Sequence, residues 1–157
     1  MPQDLFCQHF QLRAGQRCDR TLLLTLMQRT YQETYPQCQG EHLEDAMGRY
    51  WSPDAPAWFV TLVDQTQTVA CLWLGRAVDP VSGETYTHVL LLYVFPEYRC
   101  RGLGTALMQK AEDWARQQGD RKIGLQVFEA SKPAQLLYRQ LGYSTYARTL
   151  IKPLPEN

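Results

Sequence analysis

Arg99, Cys100, Arg101, Gly102, Leu103 and Gly104 follow a stretch rich in β-branched and aromatic residues and precede a run of apolar residues at helical spacing. A strand that runs into glycines opening a helix is an anion-binding arrangement. The first-turn amides of a helix have no acceptor inside it, they converge on one spot, and the helix dipole adds positive potential there. Gly102 and Gly104 place no side chain between a ligand and the backbone, and Arg99 and Arg101 add charge. A pyrophosphate is the natural ligand of such a loop. A dinucleotide fingerprint of the form GxGxxG is disfavoured because its third glycine position is Leu107, and a Walker A loop because no lysine follows the glycines. On its own, the glycine pair equally describes a loop that merely permits a turn.

The elements that would hold this loop can be read from periodicity. Residues 10–13 suit a short first strand. Asp19 offers an N-cap for a helix that runs to about Tyr35 through Leu22, Leu23, Leu26, Met27 and Thr30, and Pro36 and Gly40 interrupt it. A shorter helix covers residues 41–50, and residues 52–56 read as a loop. Strands follow at residues 58–63, 69–77 and 86–94, separated by turns at 64–67 and 79–83. Beyond Pro96, Leu103, Leu107, Ala111 and Trp114 mark a helix that Gly119 closes. Residues 122–128 read as a strand. Ser131 is a good N-cap for a helix with Pro133 in its first turn, with Leu137 and Leu141 on its inner face and Gly142 at its end. Residues 143–151 read as a last strand. The order β-α-α-β-β-β-α-β-α-β is an α+β architecture, a mixed central sheet with helices on both faces.

Composition narrows the class. The chain has 157 residues, 45% of them hydrophobic, which suits one domain over residues 1–157. Sixteen basic residues balance sixteen acidic ones, so there is no basic excess of the kind a nucleic-acid binder carries. Cys7, Cys18, Cys38, Cys71 and Cys100 are odd in number and include no CxxC pair, which argues against a metal site or a disulfide framework and for a reducing cytoplasm. Residues 1–4 lack the layout of a signal peptide, and the longest apolar stretch, residues 89–95, is too short to cross a membrane.

The wider context of the glycines carries a family likeness. Residues 94–108 read V-F-P-E-Y-R-C-R-G-L-G-T-A-L-M. This segment resembles the coenzyme A signature of the GNAT superfamily of acetyltransferases: Arg or Gln, two residues, Gly, one residue, then Gly or Ala. Residues 127–143, V-F-E-A-S-K-P-A-Q-L-L-Y-R-Q-L-G-Y, resemble the family's fifth strand and fourth helix. Cys100 stands where the family often has glycine, and Ser131 where asparagine is usual.

The resemblance implies an N-acetyltransferase with the GNAT fold that uses acetyl-CoA as cosubstrate and needs no metal. It places backbone groups of Leu92, Tyr93 and Val94 against pantetheine and the thioester carbonyl, an oxyanion-type stabilisation. It places the amides of Cys100, Arg101, Gly102, Leu103, Gly104 and Thr105, with Arg99 beside them, around the pyrophosphate, and lets Ser131 reach a phosphate or pantetheine group. It makes Tyr138 the acid that protonates the departing sulfur, a role open to a phenol because it stays protonated at neutral pH. Tyr138 shares a helical face with Ala134 and Leu141 and could also be simply a core residue. Histone-type members of the superfamily carry a glutamate base at the position matching His88, and histidine titrates near neutrality. Regular pleating puts His88 on the same face as Leu92, four residues on. Glu84 and Glu97 are weaker alternatives for the base, and ordered water is another. Reaction would be direct attack in a ternary complex, where proximity supplies much of the acceleration.

The acceptor amine is left open: a small amine, an amino acid or a protein amine. Tyr31, Tyr35, Tyr50, Trp51 and Trp73 could line its pocket, and equally belong to the core or to a homodimer surface. The expected partners are thus acetyl-CoA and an amine, with neither nucleic acid nor membrane. The alternative is a non-catalytic acetyl-CoA-binding regulatory or interaction module.

Overall fold

The computed structural model describes residues 9–52, 55–64 and 66–157. Cys7, the N-terminal stretch, Pro53 and Asp54 of the 52–56 loop, and Gln65 of the 64–67 turn lie outside them. The elements run β1 (Phe10–Ala14), a 3-10 turn (Arg17–Asp19), α1 (Arg20–Thr34), α2 (Leu43–Tyr50), β2 (Ala57–Leu62), β3 (Thr68–Val78), β4 (Thr85–Val94), a second 3-10 turn (Pro96–Tyr98), α3 (Leu103–Gln117), β5 (Ile123–Leu125) and α4 (Lys132–Gln140). The five strands form one sheet in the order β1-β2-β3-β4-β5, antiparallel except for the parallel pair β4 and β5.

Helices cover both faces because the central strands are apolar on both. On one face Leu72, Leu74, Val89 and Val60 meet Leu103, Leu107, Met108 and Ala111 of α3, with Tyr138 and Leu141 from the α4 region packed against them. On the other, Phe59, Cys71, Trp73, Leu91 and Tyr93 meet Leu23, Leu26 and Met27 of α1 and Leu43 and Met47 of α2. β3 runs through the centre with seven consecutive buried residues, as expected of a strand sandwiched between helical layers.

Asp120 fixes where β4 and β5 begin to pair. Its carboxylate accepts bonds from Arg76 at 2.5 and 2.8 Å, from the Thr87 amide at 2.9 Å and from the Thr87 hydroxyl at 2.5 Å. The Arg76 guanidinium beside it holds the Asp120 carboxyl below its ordinary range.

Three expectations are corrected here. Asp19 precedes α1 but does not cap it with its side chain. Its carboxylate instead takes a two-pronged bond from Arg13 at 2.8 Å and another from the Gln16 amide, closing the 3-10 turn. The strand expected over residues 122–128 shortens to Ile123–Leu125. Residues 143–151 form no strand: residues 144–157 are exposed throughout. Their composition is strand-like, but a strand persists only beside a partner, and within this chain the segment lies against none.

Candidate active site

The fork between β4 and β5 creates the site. Pairing between them covers only Thr87, His88 and Val89 against Ile123, Gly124 and Leu125. β4 runs on to Val94 with no neighbour on that side, while β3 stays paired with it on the other. Leu92, Tyr93 and Val94 therefore line an open fork, where the backbone groups turned away from β3 can meet a ligand, except the Val94 carbonyl, which accepts from Arg99.

The chain then enters the glycine loop. Cys100 has φ +61°, in the left-handed region that is costly for any residue with a Cβ, which explains glycine's suitability at this position. Gly102 is the N-cap of α3 at φ +85°, also left-handed, and no side chain caps the helix. The bond from the Ala106 amide to the Gly102 carbonyl (3.0 Å) starts the helical ladder, so the amides ahead of it point outward unpaired. Arg99, Cys100, Arg101 and Gly102 are exposed, Leu103 is buried, and Gly104 and Thr105 are half-buried. At Gly104 the requirement is packing: a Cβ there would sit 3.1 Å from Leu137 of α4. Uncapped amides beside a bare strand edge fit a pyrophosphate followed by an extended arm, so the residues present suit coenzyme A.

Charge is distributed unevenly. Arg99 turns back from the loop, donating Nε to the Val94 carbonyl (2.9 Å) and Nη2 to Glu33 of α1 (2.6 Å). Glu33 also accepts the Tyr93 hydroxyl at 2.6 Å. Burial, with the Glu33 carboxylate second, pushes the Tyr93 phenol up to about 12. Arg101 stacks on Tyr98, its guanidinium carbon 5.3 Å from the ring centroid, and has no carboxylate partner among the described residues.

Tyr138 projects from α4 into the α3 side of the core, half-buried and edge-to-face with Tyr143 at 5.9 Å. Burial raises its phenol to about 12, so it holds its proton under all physiological conditions. Ser131 precedes α4, but its hydroxyl does not cap the helix. It pairs with the Thr34 hydroxyl at 3.3 Å, tying the start of α4 to the end of α1.

The structure separates His88 from Leu92. Trp73 lies opposite Leu91 and Leu74 opposite Val89, so Leu90 is an extra residue in β4. This β-bulge puts Leu90 and Leu91 on the same face and inverts the alternation beyond them. Thr87 and Val89 face α3, and after the bulge so do Leu92 and Val94. His88 points to the opposite side, with Leu91 and Tyr93 and the helices α1 and α2. Glycines flank it on both neighbouring strands, Gly75 and Gly124. Its Nδ1 is buried without a hydrogen-bond partner, as is Nε1 of Trp73, which also belongs to the α1–α2 face. Burial lowers the His88 pKa.

Of the other candidate residues, Trp51 packs on Trp73 with centroids 6.3 Å apart, and Tyr31 and Tyr35 both contact Phe128 edge-to-face. Tyr50 is exposed. Glu84 and Glu97 are exposed, and Glu84 sits at the far end of β4, beside a concavity lined by Tyr86, Asp120 and Lys122 that is remote from the glycine loop. Sequence reasoning missed Glu33, whose partners lie 60 and 66 residues away, and the bulge, which leaves no residue-type signal at Leu90. No helix among the described residues is long and apolar enough to cross a membrane.

Comparison with known proteins bears on the family and the fold. The model of the acetyltransferase (GNAT) family matches residues 21–143. An uncharacterized N-acetyltransferase of Methanocaldococcus jannaschii is 40% identical over 73 residues, 46% of this chain and 30% of that protein. The mycothiol acetyltransferase of Beutenbergia cavernae is 30% identical over 117 residues, 73% of this chain and 38% of its own length. The chain thus spans only about a third of either relative. The solved aminoglycoside acetyltransferase AAC(6')-Iy, held with a coenzyme A bisubstrate analogue, superposes with a TM-score of 0.69 at 15% identity, covering 94% of this chain and 99% of that one. The fold is therefore shared with acetyltransferases, and the chain belongs to the acetyltransferase (GNAT) family.

Proposed function

We propose that this chain is a single domain that transfers an acetyl group from acetyl-CoA to a primary amine by direct attack in a ternary complex. The observation that carries the reading is the uncapped N-terminus of α3, set between left-handed Cys100 and Gly102 and next to the bare edge of β4. Acetyl-CoA supplies the activated thioester carbonyl. The amides of residues 100–105 and the Arg101 guanidinium hold its pyrophosphate. Backbone groups of Leu92, Tyr93 and Val94 orient the pantetheine arm and the carbonyl oxygen, with Ser131 as a secondary contact.

The bulge gives this arrangement two sides. Tyr138 and the glycine loop stand on the α3–α4 face, and His88 on the α1–α2 face. Tyr138 donates a proton to the departing sulfur, and His88, neutral at physiological pH, accepts one from the amine entering on the other side. Among the described residues, two buried side-chain nitrogens lack partners, on His88 and Trp73, and both belong to that second side, which is where an amine with its own polar atoms would be held. Four cysteines among the described residues are free thiols, in keeping with a cytoplasmic setting.

The test has two stages. Acetyl-CoA at about 100 times its dissociation constant should stabilise the chain by about 2.7 kcal/mol in thermal unfolding, and an amine panel should then yield at least one acceptor that drives release of free thiol. Binding without thiol release across the whole panel would make the chain a non-catalytic acetyl-CoA-binding module.

A further inference from the structure

Aromatic rings rim the fork between β4 and β5 on the α1–α2 side. The two strands part after Val89 and Leu125. Three residues on, Phe128 meets Tyr35 and Tyr31 at the end of α1, edge-to-face, with centroids 5.3 and 5.8 Å away. The Thr34–Ser131 hydroxyl pair fastens the same junction at 3.3 Å. Tyr50, from the end of α2, lies close enough to Tyr31 to act on its ionisation: burial raises the Tyr31 phenol, and Cys38 and Tyr50 add to the rise. Trp51, next in the chain, packs on Trp73.

The outer rings of this group are not core. Tyr35, Phe128 and Tyr50 are exposed by 38%, 45% and 56%. Edge-to-face contact leaves part of each ring surface open. Exposed aromatic rings gathered from three parts of the chain mark a binding surface rather than a packing leftover. Their chemistry suits flat or apolar bodies, which stack on them, and ammonium groups, which the electron-rich ring faces attract. The acidic residues interleaved with the rings are already engaged. Glu33, between Tyr31 and Tyr35, accepts from Tyr93 and Arg99 at 2.6 Å each, and Glu129, beside Phe128, pairs with Lys132 at 3.6 Å. A ligand with several ammonium groups would find neither carboxylate free. Deeper on the same face the buried Nδ1 of His88 has no partner, so a single polar end has a place to go.

Resting on the acetyltransferase reading above, we propose that the acceptor is a monoamine carried on an aromatic or apolar body. Tyr31, Tyr35 and Phe128 hold the body at the rim of the fork, and the amine points inward along the α1–α2 face toward His88. Polyamines and aminoglycosides, which present several ammonium groups on a polar or flexible frame, are poor fits to such a rim.

The experiment separates binding from turnover. Calorimetry of phenylbutylamine, spermidine and kanamycin into the chain loaded with coenzyme A reads binding alone, and release of free thiol from acetyl-CoA reads transfer. Phenylbutylamine is expected to bind at least about tenfold more tightly than spermidine or kanamycin. Phe128→Ala should weaken its binding by about tenfold with acetyl-CoA affinity nearly unchanged, and Phe128→Tyr should retain it. Stabilisation of each variant by acetyl-CoA in thermal unfolding shows that it is folded. Tighter binding of spermidine or kanamycin, or wild-type affinity for phenylbutylamine in Phe128→Ala, would overturn the proposal. Phenylbutylamine bound at the rim but never acetylated would support the aromatic site and refute the acetyltransferase reading. Acetylation of another amine with no binding of phenylbutylamine would do the reverse.

Discussion

His88 has one imidazole nitrogen buried and unpaired, and burial lowers its pKa. The base role proposed for His88 requires it deprotonated, so a lowered pKa would keep it competent into more acidic solution. The acidic limb of kcat/KM should accordingly fall below the ordinary histidine value of 6.5, and His88→Ala should abolish that limb in a pH–rate profile. Tyr138 offers a complementary test. Tyr138→Phe should lower kcat by about 100-fold or more while leaving acetyl-CoA affinity nearly unchanged, as steady-state kinetics and calorimetry would report. At Cys100 the left-handed backbone is strained by the side chain. Cys100→Gly should raise stability by up to about 1 kcal/mol in urea unfolding, with acetyl-CoA still bound.

Elements decide whether these residues can cooperate. α3 must start cleanly at Gly102, whose φ of +85° excludes a β-branched side chain. Gly102→Val should weaken acetyl-CoA by about tenfold or more in calorimetry, through both backbone strain and lost amide geometry. β4 and β5 must pair and then part, and Asp120 pins the paired end. Because its folded pKa is depressed, Asp120 stabilises the chain fully above its unfolded value of 3.8, and that contribution disappears as pH falls below it. Urea midpoints measured from pH 3 to 7 should show this loss in the wild type and a flatter profile in Asp120→Asn. Removing the carboxylate with Asp120→Ala leaves the Thr87 amide without its acceptor and Arg76 without its carboxylate partner, Arg76 keeping its bond to the Thr87 hydroxyl, and should cost about 2 kcal/mol at pH 7.

For the molecule as a whole, the sequence and the structure meet where local signals dominate. The loop from Arg99 to Gly104 was legible because a strand, two glycines and a helical period each leave a mark in residue type. Helix α1 and strands β2, β3 and β4 fell within a residue or so of their expected bounds for the same reason. What failed needed information from elsewhere in the chain. Asp19 and Ser131 have capping residue types, yet a better partner, Arg13 or Thr34, was available in three dimensions. The side assigned to His88 failed because alternation assumes an unbroken pleat, and Leu90 breaks it. Residues 143–151 look like a strand because they are competent to be one, but pairing depends on a neighbour.

The bridge from Glu33 to Arg99 sets how the site responds to ionic strength. With Arg99 already matched by a carboxylate, an incoming diphosphate meets one unmatched guanidinium, Arg101, and a set of fixed peptide dipoles. Mobile ions screen exposed charges far more than short-range dipoles that touch their ligand. Affinity for coenzyme A should therefore decline only gently as sodium chloride is added. Glu33→Gln, by releasing a second cation, should tighten binding in dilute buffer and make that decline steeper.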